Sequence, residues 1–170
     1  MNKLKVKDIA IMAIFTAILF VQEQLLNFIP NVSLTFFLMV LFSKKLGFVK
    51  SMIIITCHVL IDNLFMSSFN VIFVGFHLLG YYVIPITLNT IFKKVNNNII
   101  LGILGFCFAL IYSWAYIIPN VIVFDINVKE YLLADILWEL TLGLSSMLSI
   151  IILYNPMSKL FDNYILKENN

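Results

Sequence analysis

Arginine is absent from this sequence, and charged residues of any kind are scarce. All eleven basic residues are lysines, and charged residues make up 12% of the 170-residue chain against 62% hydrophobic residues. A soluble domain averages about 25% charged and about 45–50% apolar residues. The composition therefore argues against a water-soluble fold and against a disordered tail. A net charge of +2 is also too small for a nucleic-acid module, which presents clustered positive charge.

Cysteines and the common catalytic motifs are equally sparse. Cys57 and Cys107 each lie within an apolar run, which predicts two small buried side chains and no disulfide or metal framework. The sequence contains no phosphate-binding loop, no His-Glu-x-x-His, no Gly-x-Ser-x-Gly and no Cys-x-x-Cys motif. We therefore expect a protein that is not an enzyme and that holds no metal or cofactor.

Long apolar runs dominate what is present. A helix of about 20 apolar residues spans the hydrocarbon core, and five runs approach or exceed this length, while a sixth is shorter. The sequence predicts an all-α integral membrane protein, a compact bundle of six transmembrane helices in a single domain of residues 1–170. Pro30, Pro119 and Pro156 are expected at segment ends, and Pro85 inside the fourth helix. The predicted helices are residues 8–29, 33–43, 51–67, 71–92, 99–124 and 130–155.

Lysine positions favour six crossings over five. If all six runs cross, ten of the eleven lysines share one side with both termini, and only Lys129 lies on the other. Without a crossing at 33–43, Lys44, Lys45 and Lys50 move to the opposite side and the asymmetry is lost. Because lysines are enriched in cytoplasmic loops, the sequence predicts a multi-pass protein of the cell membrane with cytoplasmic N- and C-termini.

Polar and aromatic residues concentrate in the outer halves of the predicted helices. Ionisable side chains within spans are rare and usually functional, and aromatic rings commonly line small-molecule pockets. We expect these residues to converge on one cavity that opens outward and is closed inward by apolar packing. The candidate substrate-binding residues are Glu23, Asn27, His58, Asp62, His77, Tyr112, Trp114, Tyr116, Asp135, Trp138 and Glu139.

Helical spacing places His58 and Asp62, four residues apart, on one face, where they could pair directly. A structural interpretation stands beside the functional one. The same pair could link two helices, His77 could be an ordinary core histidine, and Glu23 could be merely solvated near the outer surface. Tyr81 could equally line the cavity or anchor the helix at the membrane interface.

The first helix carries Ala10, Ala13 and Ala17, and small residues at such spacing let another helix approach closely. The segment Lys7–Ala17 resembles the opening of the substrate-binding S component of energy-coupling factor (ECF) transporters, which are bacterial vitamin importers. Residues 134–138 and 155–160 also resemble the last helix of that family and its proline-containing exit. Size, six helices and an outward polar cavity agree with the resemblance across the whole chain.

This resemblance implies a mechanism and a set of partners. The chain would capture a water-soluble vitamin or related micronutrient from outside, with residues 28–34 as a lid. Ala10, Ala13 and Ala17 would dock onto the transmembrane T component in the bacterial cell membrane. Two cytoplasmic ATPases would supply the energy for uptake, since this chain contains no ATP site.

The candidate cavity combines four acids and two histidines, with no arginine or lysine at comparable depth. A carboxylate-rich ligand would need arginine, whereas acids and aromatic rings suit a cation or a neutral nitrogen heterocycle. The residues therefore favour a thiamine-like compound, its pyrimidine precursor or another amine-bearing heterocycle over folate or biotin.

Two other functions stay open at the level of sequence. One is a structural membrane scaffold of the rod-shape-determining type, which has a similar size and helix count. The other is an intramembrane aspartyl protease using Asp62 and Asp135, since Leu133-Ala134-Asp135 is similar to part of a lipoprotein signal peptidase motif. The absence of arginine argues against the protease, because the arginine-containing part of that motif is missing.

Overall fold

Six α-helices and a short π-helical segment make up the described part of the chain. The computed structural model describes residues 5–65 and 70–166. The prediction of an all-helical chain is confirmed, and each predicted helix overlaps an observed one. Lys3, Lys167 and the last residues of the third predicted helix lie outside the described residues. The helices are α1 (Val6–Leu26), α2 (Thr35–Leu46), α3 (Phe48–Phe65), α4 (Val71–Asn89), α5 (Asn98–Phe124) and α6 (Val128–Leu160), followed by the π-helical segment Phe161–Leu166.

Asparagine side chains begin three of these helices. Asn70, Asn97 and Asn127 each accept a hydrogen bond from the backbone N–H two residues later, at 2.9, 2.8 and 2.9 Å. Such N-caps satisfy amide groups that the first helical turn leaves unpaired. The caps therefore set where α4, α5 and α6 begin.

One end of the bundle is rich in lysine. Lys44 Nζ, near the end of α2, donates to a backbone carbonyl just after α4 (2.9 Å), and Lys45 forms an ion pair with Asp162 just after α6 (2.7 Å). Lys50 near the start of α3 pairs with Asp8 near the start of α1 (2.6 Å). Because a single residue separates α2 from α3, all of these helix ends meet at one end of the bundle, which we call the lysine end. Helices that alternate in direction along the chain require this arrangement.

α2 is the central helix of the bundle. Every residue from Thr35 to Ser43 is buried, and α2 packs against each of the other five helices. A helix that is apolar all round belongs inside a protein core. The shortness of α2 is therefore compatible with a membrane bundle, because other helices shield it from lipid.

The other five helices are long and apolar enough to span a membrane, which suits a multi-pass membrane protein. The 12 residues of α2 extend about 18 Å at about 1.5 Å per residue, against about 32 Å for the 21 residues of α1. Since the C-terminal end of α2 lies at the lysine end, its N-terminal end stops short of the opposite end. The space that remains is occupied by the α1–α2 connection and by a cavity.

Glycines bring α5 and α6 close together. A methyl group on Gly102 of α5 would lie 2.6 Å from Ile151 Cγ1 and 3.1 Å from the Met147 carbonyl oxygen on α6. A methyl group on Gly143 of α6 would lie 2.7 Å from the ring of Phe106 on α5. Small residues of this kind allow close approach where lipid provides no hydrophobic driving force between helices.

Two of the proline positions differ from expectation. Pro30 lies in the α1–α2 connection and Pro85 lies inside α4, as predicted, but Pro119 and Pro156 lie inside α5 and α6. A membrane helix tolerates proline where neighbouring groups satisfy the freed backbone carbonyl. Proline is therefore a weaker stop signal here than in a soluble protein.

The prediction that the cysteines are buried is wrong. Cys57 on α3 and Cys107 on α5 are both exposed on the outside of the bundle. An apolar run in a membrane helix supplies the lipid-facing surface as well as the core, so membership of such a run does not imply burial within the protein.

Candidate functional site

A cavity of about 190 Å³ lies over the N-terminal end of α2, on the side away from the lysine end. We call it the Glu23 cavity. Five helices and one connection contribute to its walls, so it is a feature of the assembled bundle. Its lining consists of Glu23, Leu26, Asn27, Ile29, Pro30, Asn31, Val32, Ser33, Phe36, Tyr81, Tyr112 and Leu142.

Glu23 determines the charge of this cavity. Among the described lining residues it is the only carboxylate, and none of them is a lysine or a histidine. The side chain is 29% exposed, and its Oε2 atom lies 3.1 Å from Nε2 of the fully buried His58 on α3. These two atoms are within ion-pair distance but are not in hydrogen-bond geometry. The cavity therefore has an acidic wall that can attract a cation.

Buried polar atoms between α1 and α3 lack hydrogen-bond partners among the described residues. They are Glu23 Oε2, Gln24 Nε2, both ring nitrogens of His58, and Asp62 Oδ1. Buried polar groups are nearly always hydrogen-bonded, to protein, water or ligand. The direct pairing of His58 with Asp62 that helical spacing allows is not among the ion pairs of the described residues, and His58 lies within ion-pair distance of Glu23 on the neighbouring helix instead.

Aromatic rings form another wall of the cavity. Tyr81 of α4 and Tyr112 of α5 are stacked, with ring centroids 4.3 Å apart and planes 11° apart. Phe36 meets both rings edge-on, at 5.7 and 5.6 Å. Gly80 permits this stack, since a methyl group there would lie 3.2 Å from Tyr112 Cα. Tyr81 and Phe36 are almost fully buried, so the ring surface that this wall offers to a planar ligand comes mainly from the partly exposed Tyr112.

His77 on α4 supports the aromatic wall from behind. Asn63 Nδ2 donates to the Val59 carbonyl (2.8 Å) and lies 3.0 Å from His77 Nδ1. Because Asn63 donates through this nitrogen, His77 Nδ1 accepts, and a neutral imidazole then directs its Nε2–H towards the Tyr112 hydroxyl (3.3 Å). Tyr116 packs against both His77 and Tyr112, at 5.5 and 5.1 Å. Since both of its ring nitrogens have partners, His77 fits the core-histidine interpretation.

Gln22 anchors the α1–α2 connection over the cavity. Its Oε1 accepts from the Leu34 backbone N–H (3.1 Å), and its Nε2 donates to Thr35 Oγ1 (2.7 Å). From the other side, Ser145 Oγ on α6 donates to the Asn31 carbonyl (3.3 Å). The predicted lid, residues 28–34, contributes residues 29–33 to the cavity lining, and Asn27, just before this segment, also lines the cavity.

A second polar group lies between α5 and α6. Glu139 is buried and accepts hydrogen bonds from Ser113 Oγ (3.0 Å) and Trp114 Nε1 (3.2 Å). Asp135 lies near Glu139 on α6, while Trp114 and Trp138 are 51% and 49% exposed. None of these residues lines the Glu23 cavity. Convergence of every polar stripe on one cavity is therefore contradicted, because Glu139 finds its partners on the adjacent helix.

The structure thus divides the predicted site residues into three sets. The cavity lining includes Glu23, Asn27 and Tyr112. His58 and Asp62 adjoin that lining through Glu23, while His77 and Tyr116 adjoin it through Tyr112. The α5–α6 set is Trp114, Asp135, Trp138 and Glu139. Asp62 and Asp135, the pair of the protease alternative, fall into different sets.

Sequence reasoning missed Phe36 and Gln22 as parts of this site. Phe36 lies in an apolar run that gave no polar signal. The short length of that run is the signal that could have indicated empty space at its N-terminal end. Gln22 was not among the candidate residues, although its side chain is partly buried and bonds the α1–α2 connection. Tyr81, which the sequence placed equally at the interface or the cavity, lines the cavity.

The alanine face of α1 lies on the outside of the bundle. Ala10, Ala13 and Ala17 are all exposed, and the last two line an apolar groove of about 430 Å³ between α1 and α3. Cys57 and Ile61 contribute to the opposite wall of this groove. The groove is wide and apolar, as a surface that receives another transmembrane helix would be.

No family model, no curated protein and no solved structure matches this chain. Across residues 5–65 and 70–166, no three His, Cys, Asp or Glu side chains are grouped so that they could hold a metal ion. The two polar groups and the outer surfaces of the bundle are therefore the features of the molecule that bear on its function.

Proposed function

We propose that the chain is the substrate-capture S component of an ECF-type importer, and that the Glu23 cavity binds a small amine-bearing nitrogen heterocycle. The observation that supports this proposal is a cavity opposite the lysine end, with Glu23 as the one carboxylate of its described lining. The walls of this cavity include stacked aromatic rings. With the lysine end in the cytoplasm, the cavity faces outside, where nutrients arrive. The resemblance of Lys7–Ala17 to S components supports the same function.

Glu23 and the aromatic wall together suit a protonated amine on a flat ring. A hydrogen bond to a charged group contributes about 1.5–3 kcal/mol, and a cation over an aromatic face adds about 0.5–2 kcal/mol. A carboxylate ligand would meet repulsion from Glu23, and no lysine or histidine in the described lining would compensate it. The site chemistry therefore favours the cationic class among the candidate vitamins.

The size of the cavity narrows this class further. At about 190 Å³ it is smaller than the about 300–1,000 Å³ of pockets for drug-sized ligands. It equals the volume of about six water molecules at about 30 Å³ each. A single aminopyrimidine ring suits this volume better than a folate-sized molecule. Among the candidates from sequence, the pyrimidine precursor of thiamine fits best, while thiamine itself requires the α1–α2 connection to move.

The direct test is ligand binding by purified protein, measured by native mass spectrometry and by calorimetry with an aminopyrimidine and with thiamine. We expect Glu23→Gln to raise Kd about tenfold to a hundredfold, because a charge-assisted hydrogen bond is lost. Glu139→Gln is the matched control, since Glu139 is a buried carboxylate held within the α5–α6 pair. Its Kd should stay within about twofold of the unsubstituted protein.

The reverse pattern of Kd changes would contradict the assignment of the ligand to the Glu23 cavity. If Glu139→Gln weakens binding while Glu23→Gln does not, the ligand binds at the α5–α6 group. If the folded protein binds no amine heterocycle, capture of this substrate class is contradicted.

The partner prediction has its own test. Ala13→Leu fills the groove between α1 and α3, so copurification of a T component with two ATPases should be lost while ligand Kd stays unchanged. Ala134→Leu, at an exposed alanine of α6, is the control and should retain the partners. If the unsubstituted protein brings down cell-wall machinery instead of ATPases, the scaffold alternative replaces the transporter.

A further inference from the structure

A second polar cavity, of about 400 Å³, lies at the lysine end. It is formed where the end of α2 meets the end of α4 and the connection that follows α4. Lys44, Lys45 and Lys93 line it, and no carboxylate belongs to its described lining. We call it the basic cavity. The remaining lining residues are Leu46, Gly47, Leu88, Asn89 and Asn96.

Lys44 is held in place at the wall of this cavity. Its Nζ donates to the carbonyl oxygens of Phe92 (3.3 Å) and Lys93 (2.9 Å). A lysine ammonium has three N–H donors, so these two bonds leave a third for a ligand. The position of the charge is therefore set before any ligand arrives, which lowers the ordering cost of binding.

The other two lysines add unequal charge. Lys45 is paired with Asp162 at 2.7 Å, so this lysine and its partner together contribute little net charge. Lys93 is exposed on the connection after α4. Lys44 and Lys93 together thus leave an excess of about two positive charges at the mouth of the basic cavity.

We propose that the basic cavity binds the phosphate of an anionic phospholipid headgroup. Phosphate suits a cavity whose described lining includes lysines and no carboxylate, and headgroups lie at the level where membrane-spanning helices end. Basic pockets between helices at this level are recognised sites for anionic lipids. The proposal concerns a different end of the bundle from the Glu23 cavity and does not depend on the substrate proposed there.

The test uses the full-length protein, stripped of lipid in detergent and titrated with phosphatidylglycerol or phosphatidylcholine under native mass spectrometry. Phosphatidylglycerol should bind more tightly than phosphatidylcholine. Lys44→Gln and Lys93→Gln should each weaken phosphatidylglycerol binding about fivefold. Lys94→Gln removes an exposed neighbour that does not line the cavity, and should leave binding unchanged. If Lys44→Gln fails to fold, Lys93→Gln alone still tests the proposal, because the Lys93 side chain is exposed.

Equal affinity for the two lipids would overturn the proposal, as would equal losses in Lys93→Gln and Lys94→Gln. A third arm distinguishes the source of the phosphate. If millimolar inorganic phosphate binds the unsubstituted protein while phosphatidylglycerol does not, the site recognises free phosphate and the lipid proposal is wrong.

Discussion

At the scale of single residues, Gln22 shows how one side chain can hold a functional segment. It bonds both the backbone of Leu34 and the hydroxyl of Thr35, so the α1–α2 connection is tied to α1 at the point where α2 begins. The neighbouring Gln24 has a buried Nε2 atom with no partner among the described residues. The two glutamines lie two residues apart on α1, but only Gln22 bonds the α1–α2 connection.

This difference predicts the behaviour of a matched pair of variants. Gln22→Met removes both hydrogen bonds, so amide hydrogen exchange in residues 27–35 should be about fivefold to tenfold faster. Gln24→Met breaks no hydrogen bond to the described protein and should leave exchange there unchanged. Exchange mass spectrometry on the two variants provides the measurement. Equal exchange rates in Gln22→Met and the unsubstituted protein would show that other contacts hold the connection.

Residue identity alone also did not show that Glu23 and Glu139 belong to different sites. Both are acids within apolar segments, and both were candidates from sequence. Glu139 accepts two hydrogen bonds from α5, whereas Glu23 faces a cavity and an imidazole without hydrogen-bond geometry. The distinction depends on which helix lies opposite each carboxylate, and a single helix does not contain that information.

At the scale of helices, the α5–α6 pair depends on glycine at the contact. The backbone of α6 approaches Gly102 so closely that even one added carbon meets Ile151 and a backbone oxygen. Gly75 in α4 has nothing within 4 Å of the same added carbon. An alanine substitution at Gly102 therefore tests helix packing, whereas the same substitution at Gly75 tests helix propensity alone.

Gly102→Ala should destabilise the protein by about 1–3 kcal/mol, because the helices must move apart or the side chains must leave their preferred rotamers. Gly75→Ala should be neutral or stabilising by up to about 1 kcal/mol, since alanine favours helix. Thermal unfolding of both variants in the same detergent measures the difference. An unchanged midpoint for Gly102→Ala would mean that the two helices do not approach this closely.

Helix positions were predicted well, and their ends less so. The observed α5, Asn98–Phe124, differs by one residue from the predicted 99–124, because Asn97 caps it at a clear change from polar to apolar sequence. α6 continues to Leu160, beyond the predicted residue 155, because Pro156 does not end it. Local signals such as caps are readable from sequence, but tolerance of proline depends on neighbours that satisfy the freed carbonyl.

At the scale of the whole molecule, the lysine end and the Glu23 cavity lie at opposite ends of the bundle. The ion pairs of Lys45 with Asp162 and of Lys50 with Asp8 tie four helix ends together. These contacts place the start of α1 and the end of α2 at the same end of the bundle, so α1 and α2 run in opposite directions. In the orientation that we propose from the positive-inside rule, the lysine end lies in the cytoplasm.

Cysteine labelling tests this orientation. Cys57→Ala and Cys107→Ala provide a background without cysteine, and Glu130→Cys or Lys94→Cys then adds one exposed thiol at either end. A membrane-impermeant maleimide should label Glu130→Cys on intact cells, and Lys94→Cys only after permeabilisation. Labelling of Lys94→Cys on intact cells would show that the orientation is inverted, and labelling of both variants on intact cells would contradict a membrane crossing by α5.

The sequence by itself determined the helical class, the approximate positions of the helices and the segregation of lysine. Each of these depends on composition and on runs along the chain, which are local properties. Only the tertiary structure decided that α2 is the core helix, that Cys57 faces outward, and that Glu23 and Glu139 belong to different sites. The physical reason is that lipid and protein core are equally apolar. Hydrophobic pattern therefore does not reveal which face of a membrane helix points inward, and helix pairing alone determines which polar residues meet.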